Sequence, residues 1–477
     1  MASTNKSRRK FIKNSAIASS IFIVPRNVLG GVGYTSPSDK LNIAGIGLHG
    51  KGNSDILHAS VGGRENVVAL CDVHQNARGA QVAQEKFPKA KFYTDFREML
   101  EKENLDGVTI STPDHTHANI SKVAMEKGIH VYVQKPLTHN VKEARMLTEL
   151  ARKNKIVTQM GNQGASNPEQ LMIQKWIKDG RLGKVTKVYT WTNRPVWPQG
   201  VAMQSPDPSK KPEGMDWDLW IGPAENNGYT PGLHAFDWRG FWDYGTGALG
   251  DMGCHIMDVP IKALGLFEPF SVEASVSNLP YAKAFTPSPL IEEACPSSSY
   301  ITYKFRPSEI NDSEVKMVWM DGGIRPSHPD IITDADDIGP NGVLMIGENG
   351  LIWCDNYGIK AKLYIKGQEG VVETGKISEI NAVEFGHQNH WIDAIKDGYG
   401  SDKHRSLTSN FDFAGPLSEV VLLGNVAIRS SFIRRSSRSN VFIGKKQLLY
   451  NSKEIRITNL DKANQFLTRE YREGWEI

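Results

Sequence analysis

Cysteine is scarce and scattered. The four present, Cys71, Cys254, Cys295 and Cys354, include no C-x-x-C pair, which argues against a zinc ribbon or a dense disulfide framework. Each reads instead as a small buried hydrophobe. Acidic residues are missing from the first 30 positions, where Lys6, Arg8, Arg9, Lys10, Lys13 and Arg26 stand unopposed. The net charge of +3 is therefore owed to that segment, and the remainder of the chain is left at −3. A basic field suited to nucleic acid is absent, and small neutral or polar ligands fit better. Internal repeats and low-complexity tracts are absent too. At 477 residues, with no repeat to extend a single core, two domains behind a leader are expected.

The leader carries Ser7-Arg8-Arg9-Lys10-Phe11-Ile12-Lys13, which resembles a twin-arginine export signal. The mildly apolar stretch 15–24 behind it is too short to span a bilayer stably. No cysteine follows, so no lipid anchor is expected, and no A-x-A pattern before Gly30 marks a cleavage site. A basic disordered tail is the alternative reading. The resemblance implies passage of a folded protein to the periplasm or another extracytoplasmic space, with no stable membrane span afterwards. A cofactor would then be captured before export, held tightly, and returned to its starting redox state in each cycle.

From Lys40 onward, strand-like and helix-like patterns alternate. The apolar run 41–46 ends in Gly45-Ile46-Gly47-Leu48-His49-Gly50, a G-x-G-x-x-G match, and a helical pattern through Ile56, Leu57 and Ala59 follows. Glycine removes the Cβ where backbone must approach a pyrophosphate, and a helix start offers N–H groups to it. The next strand, 67–71, ends at Asp72, 27 residues past Gly45. An acid there binds the adenosine ribose and repels a 2′-phosphate, which favours NAD over NADP; a solvated turn residue is the other reading of Asp72. Short strands are expected at 91–93, 107–111, 129–133 and 156–160. Asp95 with Glu98, and Asn140 with Glu143, read as capping boxes for the helices between them. This alternation predicts a parallel, doubly wound sheet.

Three ordered motifs then carry a resemblance: Ser111-Thr112-Pro113-Asp114-His115-Thr116-His117, Lys135-Pro136 after a strand, and Gly250-Asp251-Met252-Gly253-Cys254-His255-Ile256-Met257-Asp258. From Lys40 to the closing segment 471–475, the chain is similar to the Gfo/Idh/MocA oxidoreductases. The resemblance implies an α/β protein, with an N-terminal Rossmann doubly wound parallel sheet and then an α+β substrate domain with a mostly antiparallel sheet. Its divisions are residues 1–36 for signal and linker, 38–164 for the NAD(P)-binding domain, and 165–477 for the substrate and oligomerisation domain. Dinucleotide contacts are expected from Gly45, Ile46, Gly47, His49, Gly50, Asp72, Thr112, Pro113, His115, Gln134, Lys135 and Gln163. The family usually reads Glu-Lys-Pro where this chain has Gln134-Lys135-Pro136, so a carboxylate that favours the charged lysine is missing.

Lys135 follows a strand, and Pro136 biases it toward an extended backbone aimed at the sheet's carboxyl edge. Asp251 and His255 are four apart and Asp258 three further, which on one helix aligns all three; a solvated face or a metal site are the alternatives. By resemblance, His255 takes the proton from a sugar hydroxyl, Lys135 polarises the same oxygen, and Asp251 orients the histidine or binds a neighbouring hydroxyl. From about residue 183 shorter runs, at 185–191, 299–305, 315–320 and 342–346, fit a mostly antiparallel sheet. Six tryptophans fall within 189–244. Packing accounts for most of them, with Trp238 and Tyr244 the expected substrate contacts alongside Asp251 and His255. His387 and His390 have no third ligand at metal spacing, so no metal is expected.

Three functions stay open at this stage. One is oxidation or reduction of a saccharide or polyol hydroxyl by enzyme-held NAD, in a homo-oligomer joined through the C-terminal sheet. A second is glycoside hydrolysis by oxidation, elimination and re-reduction, similar to exported N-acetylgalactosaminidases of this family. The third is a non-catalytic sugar-binding protein on the same fold.

Overall fold

The computed structural model describes residues 39–277, 281–284, 286–287, 291–333, 337–375, 380–436 and 441–477. The leader expected over 1–36 lies outside them. Six parallel strands form the first sheet: β1 (Asn42–Ile46), β2 (Asn66–Cys71), β3 (Lys91–Tyr93), β4 (Gly107–Ile110), β5 (His130–Val133) and β6 (Thr158–Met160), in the order β3-β2-β1-β4-β5-β6. The direction of winding reverses between β1 and β4, and such a switch point opens a crevice beyond the strands' carboxyl ends. β4 is buried along its whole length, as expected of a central strand covered on both faces.

Helix α1 (Lys51–Ala59) follows β1, and helix α2 (Val141–Asn154) connects β5 to β6. α2 has the expected capping box. The Asn140 side chain accepts from the Glu143 N–H at 3.1 Å, and Glu143 Oε2 accepts from the Asn140 N–H at 3.2 Å. Its buried residues Val141, Ala144, Leu147, Thr148 and Ala151 recur at helical spacing. Asp95 also caps its helix, but through the Arg97 N–H, while Glu98 pairs with Lys102 instead. That start is an N-cap without a box.

The second sheet has ten strands, ordered Glu373–Thr374, Lys362–Ile365, Gly350–Cys354, Gly342–Gly347, Val185–Trp191, Val315–Met320, Ser299–Phe305, Pro269–Val276, Leu448–Asn451 and Arg456–Ile457. All neighbours run antiparallel except Val185–Trp191 with Val315–Met320, which are parallel. Helix α3 (Gly247–Ile256) lies in the chain between the sheet's strands Val185–Trp191 and Pro269–Val276.

Two late helices return to the first domain. In α4 (Ile380–Asp397), Trp391, Ile392 and Ile395 share one apolar cluster with Ile43, Ile56, Leu70 and Tyr132. A Cβ on Gly107 of β4 would lie 3.0 Å from the Trp391 ring. Thus one face of the Rossmann sheet is completed by residues more than 200 positions away. Helix α5 (Phe411–Ser430) is the one described helix long and apolar enough to cross a membrane, yet it is mostly buried. It crosses α2 so closely that a Cβ on Gly415 would sit 1.9 Å from Thr148 Oγ1, and Arg145 grips Glu419 through two bonds of 2.7 Å. The two sheets are therefore fastened together by α5, with the crevice between them.

Candidate active site

The crevice holds a cavity of about 480 Å³, within the range of about 300–1,000 Å³ usual for cofactor and ligand clefts. One end is built by the β1–α1 turn. Gly47 has φ +78°, and a Cβ there would meet the Ser111 carbonyl oxygen at 2.7 Å. The turn packs tightly on the helix start at Gly52, where a Cβ would lie 1.9 Å from Gly47 O, whereas Gly50 has φ +55° and open space around it. Gly45 does not line the cavity. Its missing Cβ admits Ile56, which would lie 3.2 Å away.

Ile46, Gly47, His49, Gly50, Asp72, Thr112, Pro113, Gln134, Lys135 and Gln163 all line the space. Asp72 follows β2, and its two oxygens accept the backbone N–H groups of Leu48 at 2.8 Å and His74 at 3.0 Å. Burial raises its proton affinity, against the pull of those donors. Gln163 Oε1 and His255 Nδ1 are buried without protein partners. A polar, two-ended cavity with unsatisfied groups and a glycine cradle fits a dinucleotide.

His115 stands elsewhere. It is fully buried, with Nε2 3.0 Å from Trp220 O and Nδ1 3.2 Å from Tyr244 O, and burial pushes it down to about 3. Neutral, it donates its single ring N–H to one of those carbonyls, which makes it a packing contact between two loops rather than a cofactor contact. Tyr244 likewise turns away from the cavity, with its ring packed on Trp220 and His115. His117, two residues on, sets Nδ1 2.8 Å from Pro136 O and Nε2 2.9 Å from Thr112 O. It thereby holds the lysine turn against the Ser-Thr-Pro loop.

Lys135 reaches across to α3. Its Nζ donates to both Asp251 Oδ1 and Asp251 O at 2.7 Å. Burial alone would raise Asp251, but Lys135 and Arg239 hold it below the usual carboxylate value. One turn on, His255 lies edge-on to Tyr357, with ring centroids 5.0 Å apart. Burial, reinforced by the Lys135 ammonium, holds it well below the ordinary histidine value, against the attraction of Asp251. A neutral imidazole beside an ammonium can accept a proton at one point and stabilise negative charge at the next. Asp258 does not join them. It begins a separate short helix, Asp258–Leu264, and pairs with Gln170 at 3.1 Å and Lys262 at 3.3 Å.

Gln134 donates to Asp55 Oδ2 at 2.8 Å, and Ser111 and Gln388 donate to the same fully buried carboxylate. A glutamate at 134 would set two carboxylates against each other in the core. The amide is thus the form that matches Asp55.

Sequence reasoning found Trp238, which lines the cavity, but missed Arg194, Trp197, Phe236, Arg239 and Tyr357 at the same end, and Thr94, Phe96 and Trp475 at the other. His387 bonds to Met160 O at 2.8 Å and Ser166 Oγ at 2.6 Å. Among the described residues no group of three His, Cys, Asp or Glu side chains could hold a metal.

The switch-point crevice, the glycine turn and the substrate sheet define a two-domain dinucleotide-binding protein of the oxidoreductase class. Residues 41–162 match the NAD-binding Rossmann fold of the Gfo/Idh/MocA oxidoreductase family, and residues 168–277 match the family's C-terminal alpha/beta domain. The chain thus carries the NAD-binding and C-terminal domains of that family. An α-N-acetylgalactosaminidase of Shewanella oneidensis is 29% identical over 36% of this chain, and a glycosyl hydrolase family 109 protein of Shewanella sp. strain ANA-3 is 30% identical over the same share. The match spans only 39% of either relative's length. Among solved structures, the WlbA dehydrogenase of Bordetella pertussis in complex with NADH and UDP-GlcNAcA is similar at a TM-score of 0.53 and 15% identity, covering 82% of this chain and 97% of that one. A levoglucosan dehydrogenase in complex with NADH and levoglucosan is similar at 0.55 and 16%, covering 82% and 98%. At such identities the likeness establishes the shared fold.

Proposed function

We propose that the chain is an NAD-dependent oxidoreductase acting on a hydroxyl of a saccharide, glycoside or polyol, with a tightly held cofactor recycled within each cycle. The observation that carries this reading is the meeting of Lys135, Asp251 and His255 on the wall of a cavity whose other end is the glycine turn. Bound there, NAD supplies the hydride acceptor. His255, kept neutral by burial and by Lys135, takes the hydroxyl proton onto its imidazole. Two of the three Lys135 N–H donors are engaged by Asp251, which aims the third at the substrate oxygen. Asp251 holds that ammonium in place and steadies the charge His255 acquires. Asp72 receives the adenosine ribose, and Gln163 Oε1 is free to accept from the nicotinamide end.

A second reading, net cleavage of a glycoside, is favoured by the relatives named as α-N-acetylgalactosaminidase and glycosyl hydrolase family 109 proteins. The same lysine and histidine serve it, since a transient ketone acidifies the neighbouring C–H. Twin-arginine export, supported by Arg8 and Arg9, and assembly through the C-terminal sheet, supported by the exposed Tyr300 and Leu449, belong to the same proposal.

The test is rapid mixing of the NAD-loaded protein with a panel of glycosides. A rise in reduced-nicotinamide absorbance that is lost in His255→Asn supports the assignment. Keto-sugar accumulation marks the first reading, and free aglycone without net reduction marks the second. Full turnover by both His255→Asn and Lys135→Ala would overturn the roles.

A further inference from the structure

The substrate end of the cavity carries cations in excess of the carboxylates that face them. Asp251 is approached by three: Lys135 Nζ at 2.7 Å, Arg239 Nε at 3.8 Å and Arg194 Nε at 4.0 Å. The lysine is hydrogen-bonded to it, whereas both guanidinium groups stand beyond hydrogen-bonding reach. Among the described residues no other carboxylate lies within 4.0 Å of either guanidinium. Asp114, the remaining acid at this end, accepts from Thr246 Oγ1 at 2.5 Å, and burial raises its affinity for a proton.

Both guanidinium groups are also oriented. Arg239 lies with Cζ 4.2 Å from the Trp238 ring centroid, 4.5 Å from Phe236 and 5.9 Å from Trp197. Its Nη1 donates to Phe236 O at 3.2 Å. Arg194 Nη1 donates to Asn193 Oδ1 at 2.8 Å. Each group keeps further N–H donors for a ligand. They come from separate segments, Arg194 from the loop after strand Val185–Trp191 and Arg239 from the turn Asp237–Gly240, and both line the same space. Exposed Val196 and Phe236 lie beside them. Planar, weakly hydrated guanidinium groups that share a single carboxylate already hydrogen-bonded to Lys135 suit a planar or tetrahedral oxyanion. The dinucleotide's phosphates belong to the glycine turn at the opposite end and do not account for them.

We propose that the substrate is an acidic sugar, whose carboxylate or sulfate ester accepts hydrogen bonds from Arg194 and Arg239 while the hydroxyl to be oxidised faces Lys135 and His255. This rests on the saccharide reading above and narrows it to one charge class. A neutral sugar would leave both guanidinium groups facing only Asp251, the carboxylate that Lys135 already engages.

The experiment is calorimetric titration of the NAD-loaded protein with matched methyl glycosides of the gluco, galacto and manno series, each as the neutral sugar, the uronide and the 6-sulfate. At least one acidic member is expected to bind about 10- to 100-fold more tightly than its neutral partner. The uronide or the sulfate is identified as the source by whichever binds more tightly. In Arg194→Gln and Arg239→Gln the acidic-to-neutral preference is expected to fall toward one. Equal binding of acidic and neutral members, absence of acidic binding across the panel, or a preference unchanged in both variants would each overturn the proposal. If acidic sugars bind through the arginines yet never reduce nicotinamide, the redox reading falls and the anion site stands. If neutral sugars are oxidised while acidic ones are excluded, the redox reading stands and this inference falls.

Discussion

Replacing Lys135 by methionine removes one charge and two hydrogen bonds from the centre of the site while keeping an unbranched chain of similar length. Its nitrogen lies 2.7 Å from Asp251 Oδ1, with the two side chains only 16% and 14% exposed, so the pair is largely shielded from water. Breaking such a pair by deleting one partner costs about 3–5 kcal/mol. Here Arg239 and Arg194, at 3.8 and 4.0 Å, still face the carboxylate and offset part of that. A stability loss of about 2 kcal/mol is therefore expected in denaturant unfolding. The chemical loss is larger. Removing one donor aimed at a developing alkoxide costs about 2.7–4 kcal/mol, so kcat should fall about 100- to 1,000-fold.

His255 reports the same change independently. The Lys135 charge is the second cause of its lowered proton affinity, after burial. Without that charge, the acidic limb of the rate profile should move to higher pH. Steady-state oxidation measured across pH, with NAD affinity followed by protein fluorescence, separates these effects. The reasoning is refuted if kcat stays within about tenfold of the parent, or if the acidic limb does not move.

Other expected outcomes follow from the same geometry. In the parent protein, His255 is neutral above a value lying below the ordinary 6.5; kcat/KM for oxidation should hold through pH 6.5 and decline only as pH falls further. Gly52→Ala should weaken NAD binding and lower thermal stability more than Gly50→Ala, because its Cβ would meet the Gly47 carbonyl oxygen at 1.9 Å, whereas Gly50→Ala meets open space and bears only the backbone strain of φ +55°; calorimetry with NAD reads both. Gly415→Ala, with a Cβ 1.9 Å from Thr148 Oγ1, should destabilise the α2–α5 crossing by about 1–3 kcal/mol, visible in chemical unfolding. His115, at about 3 when folded, binds fewer protons than in the unfolded chain, so its contribution to stability is lost as pH drops from 6.5 toward 3. His115→Gln should therefore be less acid-sensitive than the parent by up to about 1.4 kcal/mol per pH unit in that window.

The first domain was readable because its determinants are local. Apolar runs of strand length, the glycine turn, Asp72 after β2 and the Asn140–Glu143 box each act within a few residues. The α4 contribution was not readable, since nothing near Trp391 or Ile395 tells that they cover a sheet starting at Asn42. Counting along the helix placed Asp251 and His255 together, but the same count misplaced Asp258, because the chain turns at Met257 and Asp258 starts a new helix. His115 and His117 look alike in sequence, yet both are consumed by backbone carbonyls, which only tertiary packing reveals. Arg194 and Arg239 were passed over because an arginine beside aromatics reads the same whether solvated or aimed into a cleft. Gln134 looked like a lost carboxylate until Asp55 was found opposite it.

The most direct test of the account is a crystallographic map of the protein with NAD and an oxidisable sugar bound. The account predicts the nicotinamide C4, the reacting carbon and its oxygen gathered within about 3–4 Å of one another, with that oxygen in contact with Lys135 Nζ and the His255 imidazole. A dinucleotide lying outside the crevice, or a ring placed on the far side from α3, would contradict it.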